Sequence, residues 1–210
     1  MKDKGISSAV TKRLPRYYRY LSDLKASGVE RISSRELSEK MKVTASQIRQ
    51  DFSNFGGFGQ QGYGYNVDKL HEEMGRILGL DTKRKLVIIG AGHIGQALAN
   101  YQGFTKRGFI LSGVYDADPG LVGTNVGDYE VKPMSSLSSD IKNEDIKIAV
   151  IAVPKSSAQE VADKVVEYGV TGIWNFALVD LKAPENCVVE NVHLVESLMN
   201  LAYNISVKES

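Results

Sequence analysis

The chain has 210 residues, 42% hydrophobic and 24% charged, with a formal net charge of +1, which suits two small globular domains. No apolar run reaches the roughly 18 residues that span a bilayer, and the start, MKDKGISSAV, lacks the hydrophobic core of an export signal. One cysteine, Cys187, excludes an internal disulfide and a multi-cysteine metal site, so a cytoplasmic protein without a metal is expected.

The charge is unevenly spread. Residues 1–80 carry 14 Lys and Arg against 9 Asp and Glu, whereas residues 81–210 carry 12 against 16. The excess is densest at Lys2, Lys4, Lys12, Arg13, Arg16 and Arg19. Such a run reads either as a solvated helix face or as one that grips phosphates.

Leu14, Tyr17, Tyr18, Leu21 and Leu24 fall at helical spacing, with Pro15 near the predicted start and Gly28 past the end. Ser33 and Glu36 then form a capping box that opens a second helix with Leu37 and Met41 on its apolar stripe. Thr44 and Gln47 repeat the device for a third. The second and third helices are separated only by residues around Lys42 and Val43, the spacing of a helix-turn-helix. At 100° per residue, Ala45, Ile48, Phe52 and Phe55 share one arc. Ser46, Arg49, Gln50 and Ser53 lie opposite, and Gln47 joins them as a candidate DNA contact. Arginine can read guanine and glutamine adenine, so this face suits a major groove.

The stretch SNFGGFGQQGYGYN follows. No Gly-Lys-Ser/Thr ends it and no hydrophobic strand feeds it, so it is not a Walker loop. Phe58, Tyr63 and Tyr65 alternate with small residues around Gln60, Gln61 and Gly62, the pattern of a β-hairpin. A hairpin after a helix-turn-helix is a wing, which adds Gln60, Gln61 and Tyr63 to the DNA-binding candidates. Arg13 and Arg16 are the candidates for phosphate.

KLVIIGAGHIGQALANY supplies a buried strand, then Gly90-x-Gly92-x-x-Gly95, then a helix with Ala97 and Leu98 expected to face inward. Strand, turn and helix are the context that gives this fingerprint meaning. Gly90 serves the tight turn, Gly92 the approach of a pyrophosphate, and Gly95 the packing of helix on strand. Ala91, His93 and Ile94 complete the loop. The next strand, FILSGVYD, ends in Asp116, placed to hold the adenosine ribose and to repel a 2′-phosphate, so NAD and NADH are expected over NADP(H). IKIAVIAV and GIWNFA read as further strands flanking a helix from about Ser156 to Tyr168, with Trp174 in the core. Their carboxyl ends place Val153, Pro154, Asn175 and Phe176 near the nicotinamide. Cys187, on a predicted strand, reads as a small buried hydrophobe.

The architecture is therefore α/β. A winged helix-turn-helix domain (1–80) precedes a Rossmann-type doubly wound parallel sheet (81–191), and a last helix (192–210) carries Leu194, Leu198, Leu201 and Ile205 at helical spacing. His71, His93 and His193 join no recognisable catalytic motif with an acid, and no second domain remains to hold a substrate. Two classes compete: a DNA-binding protein whose ligand is the dinucleotide, and a small NAD-dependent oxidoreductase with an accessory nucleic-acid-binding domain.

VTASQIRQDFSNFG, GYGYNV, GAGHIGQALANYQGF and GIWNFA, in this order, resemble the Rex family of redox-sensing transcriptional repressors over nearly the whole chain. The resemblance implies a homodimer, no enzymatic activity, a domain-swapped C-terminal helix, and binding to a pseudo-palindromic double-stranded operator that NADH reverses. It also implies a switch linking a first-helix arginine, a tyrosine after the glycine turn and an aspartate at the swapped helix. By motif these fall on Arg19, Tyr101 and His193. The histidine departs from the family pattern, as do Gln60 and Gln61 at a wing tip that is commonly basic.

Overall fold

The computed structural model describes residues 6–56, 58–60 and 63–209. They form two compact units, residues 1–82 and 83–210.

The first unit opens with α1 (Ser8–Ala26), whose buried stripe is Val10, Leu14, Tyr17, Leu21 and Leu24. Pro15 lies inside this helix rather than near its start, because the helix begins at Ser8. The bond lost to its missing N–H falls at Thr11, which is exposed and open to water. β1 (Arg31–Ile32) leads to α2 (Ser34–Met41). The capping box forms there: the Glu36 N–H donates to Ser33 Oγ at 3.1 Å, and the Ser33 N–H to Glu36 Oε2 at 2.7 Å. Lys42 takes a left-handed conformation (φ 55°) and turns the chain into α3 (Ala45–Ser53). Thr44 caps α3 through the Gln47 N–H, but the reciprocal half is missing because the Gln47 side chain turns to Asp51 instead.

β2 (Gly59–Gln60) and β3 (Gly64–Asn66) pair antiparallel as the expected hairpin, and β1 joins β3 on its other side. β1 has no sequence signal beyond two residues. It fits because a side chain on Gly64 (φ +68°) would strike the Ile32 carbonyl, so the strands come together only over glycine. α4 (Val67–Ile77) is capped by Asn66 and packs on α1. Phe52 stands at the centre of the core, edge-on to Tyr17, Phe58 and Tyr65 at centroid distances of 5.0, 6.0 and 5.2 Å.

The second unit is built on β4 (Arg84–Ile89), α5 (His93–Ala99), β5 (Phe109–Asp116), β6 (Asn125–Val126), β7 (Tyr129–Pro133), α6 (Leu137–Glu144), β8 (Ile148–Ile151), α7 (Lys155–Glu167), β9 (Gly172–Asn175), β10 (Val188–Asn191) and α8 (Leu194–Glu209). The sheet order is β10-β9-β8-β4-β5-β7-β6, parallel except for β6 at the edge. Leaving β6 aside, this is the doubly wound dinucleotide order. α6 and α7 pack over one face; α5 covers the other.

That imbalance corrects two expectations. Ala97 is exposed and only Leu98 leans on the sheet, because seven residues of α5 already place the buried Gly95 at the contact. Trp174 is half-buried on the face that α5 leaves partly open, where it meets Phe104 and Phe176 edge-on. Cys187 is buried but precedes β10 rather than lying on it, and burial pushes its thiol up from its ordinary value.

Candidate functional site

The carboxyl ends of β4, β5 and β8 open onto a cleft of about 530 Å³, lined among others by Gly90, Gly92, His93, Ile94, Asp116, Asp118, Val153 and Pro154. It lies where the strand order reverses, the place at which open α/β sheets bind ligands. Each glycine of the turn has its own reason. Gly90 (φ +101°) accepts no side chain, because a Cβ would collide with the Ala152 carbonyl oxygen. At Gly95 a Cβ would collide with the Gly90 carbonyl oxygen. At Gly92 a Cβ would meet nothing within 4 Å, so the space in front of this residue is open. That space is where a pyrophosphate would approach the start of α5.

Asp116 closes the turn from the side. The Ala91 N–H donates to its Oδ2 at 2.6 Å and the Asp118 N–H to its Oδ1 at 2.8 Å. Both oxygens keep lone pairs free, so the carboxylate is oriented and can still accept ribose hydroxyls. Asp118 lines the cleft as well, with its Oδ1 accepting from the Gly120 N–H at 2.8 Å.

Asn175 and Phe176, expected near the nicotinamide, and Tyr101, also expected at the cofactor, are not among the residues that line this cleft. Asn175 is fully buried with its amide saturated: it donates to the Val179 carbonyl at 2.7 Å and to Asn191 Oδ1 at 2.8 Å, and accepts from the Ala177 N–H at 3.0 Å. Its side chain ties the loop at 177–179 to Asn191. Phe176 packs on Trp174 at 4.6 Å. Tyr101 is exposed, stacks edge-on against Phe104, and lines a separate apolar cleft of about 410 Å³ with Phe104, Phe109 and Trp174.

On the first unit, Ser46, Arg49, Gln50 and Ser53 are all exposed along one side of α3. Arg49 Nη1 donates to Ser34 Oγ at 3.0 Å, which steadies the guanidinium at the junction of α2 and α3. Tyr63 projects from the hairpin, its carbonyl accepting from Arg31 Nη1 at 3.1 Å. Gln61 lies outside the described residues, and so does the side chain of Gln60. Arg16 and Arg19 are exposed on α1 and approach the ring of Tyr20 at 5.9 and 5.3 Å.

Arg13 and Gln47, both expected at DNA, turn to the buried Asp51. Arg13 forks onto Asp51 through two 2.7 Å hydrogen bonds, while Tyr17 Oη and Gln47 Nε2 donate to the same carboxylate at 2.7 and 2.8 Å. Burial alone would push the Asp51 carboxyl up; the hydrogen bonds from Arg13, Tyr17 and Gln47 and the Arg13 charge outweigh it and hold the group below its ordinary value. Sequence reasoning missed this cluster. Its signal was an acid at the edge of the apolar arc of α3.

His193 leads into α8, with Nδ1 2.7 Å from Glu196 Oε1 and Nε2 buried without a hydrogen-bond partner. α8 itself exposes Leu194, Val195, Leu198, Met199, Leu201, Tyr203, Ile205 and Val207. Among the described residues no cluster of His, Cys, Asp and Glu could hold a metal ion, and no helix is long and apolar enough to cross a membrane.

A model described as "Putative DNA-binding protein N-terminus" matches residues 5–53, and one described as "CoA binding domain" matches residues 81–179. A curated protein of Clostridioides difficile (strain 630), named redox-sensing transcriptional repressor Rex, is 54% identical over 201 residues, 96% of each chain. The chain belongs to the Rex family of redox-sensing transcriptional repressors. A Rex protein of Thermoanaerobacter pseudethanolicus is 51% identical, over 99% of this chain and 93% of that one. Among solved structures, the repressor RSP in complex with β-NAD⁺ and operator DNA superposes with a TM-score of 0.92 at 51% identity, covering 97% of this chain and 94% of its own. RSP in complex with β-NADH gives 0.89 at 48% identity, covering 97% and 96%. Rex proteins are repressors, so the oxidoreductase reading falls. The CoA description and the dinucleotide reading concern the same fold, and it is RSP with NAD⁺ and NADH that favours the dinucleotide.

Proposed function

We propose that this chain is a homodimeric repressor that holds a pseudo-palindromic operator through its winged helix and lets go when NADH replaces NAD⁺. One observation carries the reading: a single chain pairs the exposed polar face of α3 with a glycine-turn cleft whose acid, Asp116, is already oriented for a ribose. α8 supports the dimer. A helix apolar around most of its circumference needs cover on more than one side, and a second copy supplies it by exchange of the same helix. Arg19, Tyr101 and His193 are the switch residues in this reading, and Val153 and Pro154 flank the nicotinamide. Such a repressor works in the cytoplasm, where the operator and the nucleotide pool meet.

The test is fluorescence anisotropy on a labelled duplex selected from random DNA by the full-length protein. NADH should release the duplex and NAD⁺ should not, while absorbance at 340 nm stays constant in the presence of carbonyl substrates. Equal release by both forms, or consumption of NADH, overturns the reading.

Arg49 is assigned to bases and Arg16 to phosphate, Arg13 being held by Asp51. Arg49→Ala should weaken the selected duplex by about 1–3 kcal/mol while barely touching a scrambled one. Arg16→Ala should weaken both alike and reduce the salt slope by about one. An equal loss on both duplexes for Arg49→Ala would make it a positioning contact.

Asp116 sets cofactor choice. NADPH should bind far more weakly than NADH, because its 2′-phosphate would meet the carboxylate, and Asp116→Ala should narrow the gap. Direct titration of both dinucleotides decides; a wild type that binds them equally would exclude Asp116 from the ribose site.

A further inference from the structure

Asn175, at the end of β9, sits between the carboxyl end of β8 and the chain that leads from β10 into α8. On one side, the Phe176 N–H donates to the Ile151 carbonyl at 2.9 Å, and the next residues of that strand end, Ala152, Val153 and Pro154, line the dinucleotide cleft. On the other, the Asn175 carbonyl accepts from the Val192 N–H at 2.8 Å and its amide donates to Asn191 Oδ1 at 2.8 Å. Asn191 in turn donates to Asp180 Oδ1 at 3.3 Å. The two residues thus held, Asn191 and Val192, are separated from α8 only by His193, whose carbonyl accepts from the Glu196 N–H in the first turn of the helix.

We infer that Asn175 is a positioning residue for the switch, carrying the state of the dinucleotide cleft to the root of α8 through Asn191 and Val192. The inference rests on the reading of α8 as the dimer helix of an NADH-responsive repressor. The physical case is the saturation of the amide. A buried carboxamide with both protons and its oxygen engaged has one geometry, and any shift of the loop at 176–179 must move Asn191 or break the bond to it. Threonine or serine could fill the volume, but neither donates to Val179 and Asn191 at once.

Asn175 itself is a poor place to test this, because its loss orphans the Val179 carbonyl and the Ala177 N–H. Asn191 is exposed and is the better target. In the full-length dimer, Asn191→Ala should keep its melting temperature, its NADH affinity and its operator affinity without ligand. The NADH needed for operator release should rise about tenfold, within the usual 5–150-fold range of coupling between sites. The exchange Asp180→Asn with Asn191→Asp keeps an acceptor facing Asn175 and restores a donor–acceptor pair with residue 180, so it should return the release curve toward wild type. A release curve for Asn191→Ala that superimposes on wild type overturns the inference. So does a shift in release matched by an equal loss of NADH affinity, which would make Asn191 part of the cofactor site. If wild-type protein is not released by NADH at all, the underlying repressor reading fails first and this inference with it.

Discussion

Asp51→Ala should destabilise the first unit by about 3 kcal/mol, lowering its melting temperature by about 12 °C or more. The carboxylate is fully buried while a quarter of the Arg13 side chain reaches water. Breaking a buried pair costs roughly 3–5 kcal/mol, because the remaining charge loses its partner; partial access of Arg13 to solvent sets the low end. The loss of Tyr17 and Gln47 as donors adds to it. By contrast, an exposed pair such as Arg35 and Glu39 at 3.6 Å contributes next to nothing. Replacing both partners, Arg13→Met with Asp51→Leu, should recover the part of the loss that comes from the unpaired charge, but not the part from the buried Tyr17 hydroxyl, which still lacks its acceptor. Hydrogen–deuterium exchange on peptides from α1 and α3 localises the effect in the full chain. The pH dependence has a definite sign. The folded Asp51 carboxyl lies below its ordinary value of 3.8, so its contribution is complete above that value and is lost as pH falls through the folded one. The protection factor of wild-type α3, its exchange divided into the intrinsic rate at each pH, should therefore begin to fall in acid below about pH 4, a dependence that the double variant lacks. Equal protection of α3 in wild type and Asp51→Ala would show that the apolar core alone seats the recognition helix.

How much of this was legible in the sequence depended on how local each signal is. The capping box at Ser33 and Glu36, the wing around Tyr63 and Tyr65, and the turn from Gly90 to Gly95 are fixed by residues within a few positions of one another, and the structure has all three. The outward arc of α3 followed from periodicity alone. What stayed hidden was pairing across long separations. Asp51 meets Arg13 and Tyr17 across 38 and 34 positions, and on paper Arg13 was indistinguishable from the free basic residues beside it. Asn175 looked like a ligand-binding amide because it ends a strand, yet its partners, Val179 and Asn191, had no pattern to announce them. β6, β7 and α6 are short, and their amphipathic runs gave no period long enough to read. Trp174 was misplaced for a different reason: the pattern of the strand says which face a side chain takes, not whether a helix covers that face.

Gly92→Ala and Gly95→Ala should separate binding from folding within one turn. At Gly92 the backbone is extended (φ −70°, ψ −173°), a conformation any residue adopts, and a methyl group meets nothing within 4 Å. Folding should be indifferent, within about 0.5 kcal/mol, or slightly favoured because alanine has less unfolded-state freedom to lose. The same methyl stands in the open space before α5 that a pyrophosphate must enter, so NADH affinity should fall at least tenfold, about 1.4 kcal/mol. Gly95→Ala inverts the pattern. Its Cβ would collide with the Gly90 carbonyl oxygen, a backbone atom that no rotamer change can move, and would lie 2.9 Å from the carbonyl carbon. Either α5 lifts from β4 or the turn distorts, at a cost of about 3 kcal/mol. Thermal melts paired with NADH fluorescence titrations read both effects. Gly92→Ala should also hold operator DNA as wild type does and need at least about ten times more NADH for release, since the winged helix lies in the other unit. An early melt for Gly92→Ala, or wild-type NADH binding by Gly95→Ala, would mean that the turn does not work as its geometry requires: Gly92 clears the way for phosphate only if its own substitution leaves the fold alone.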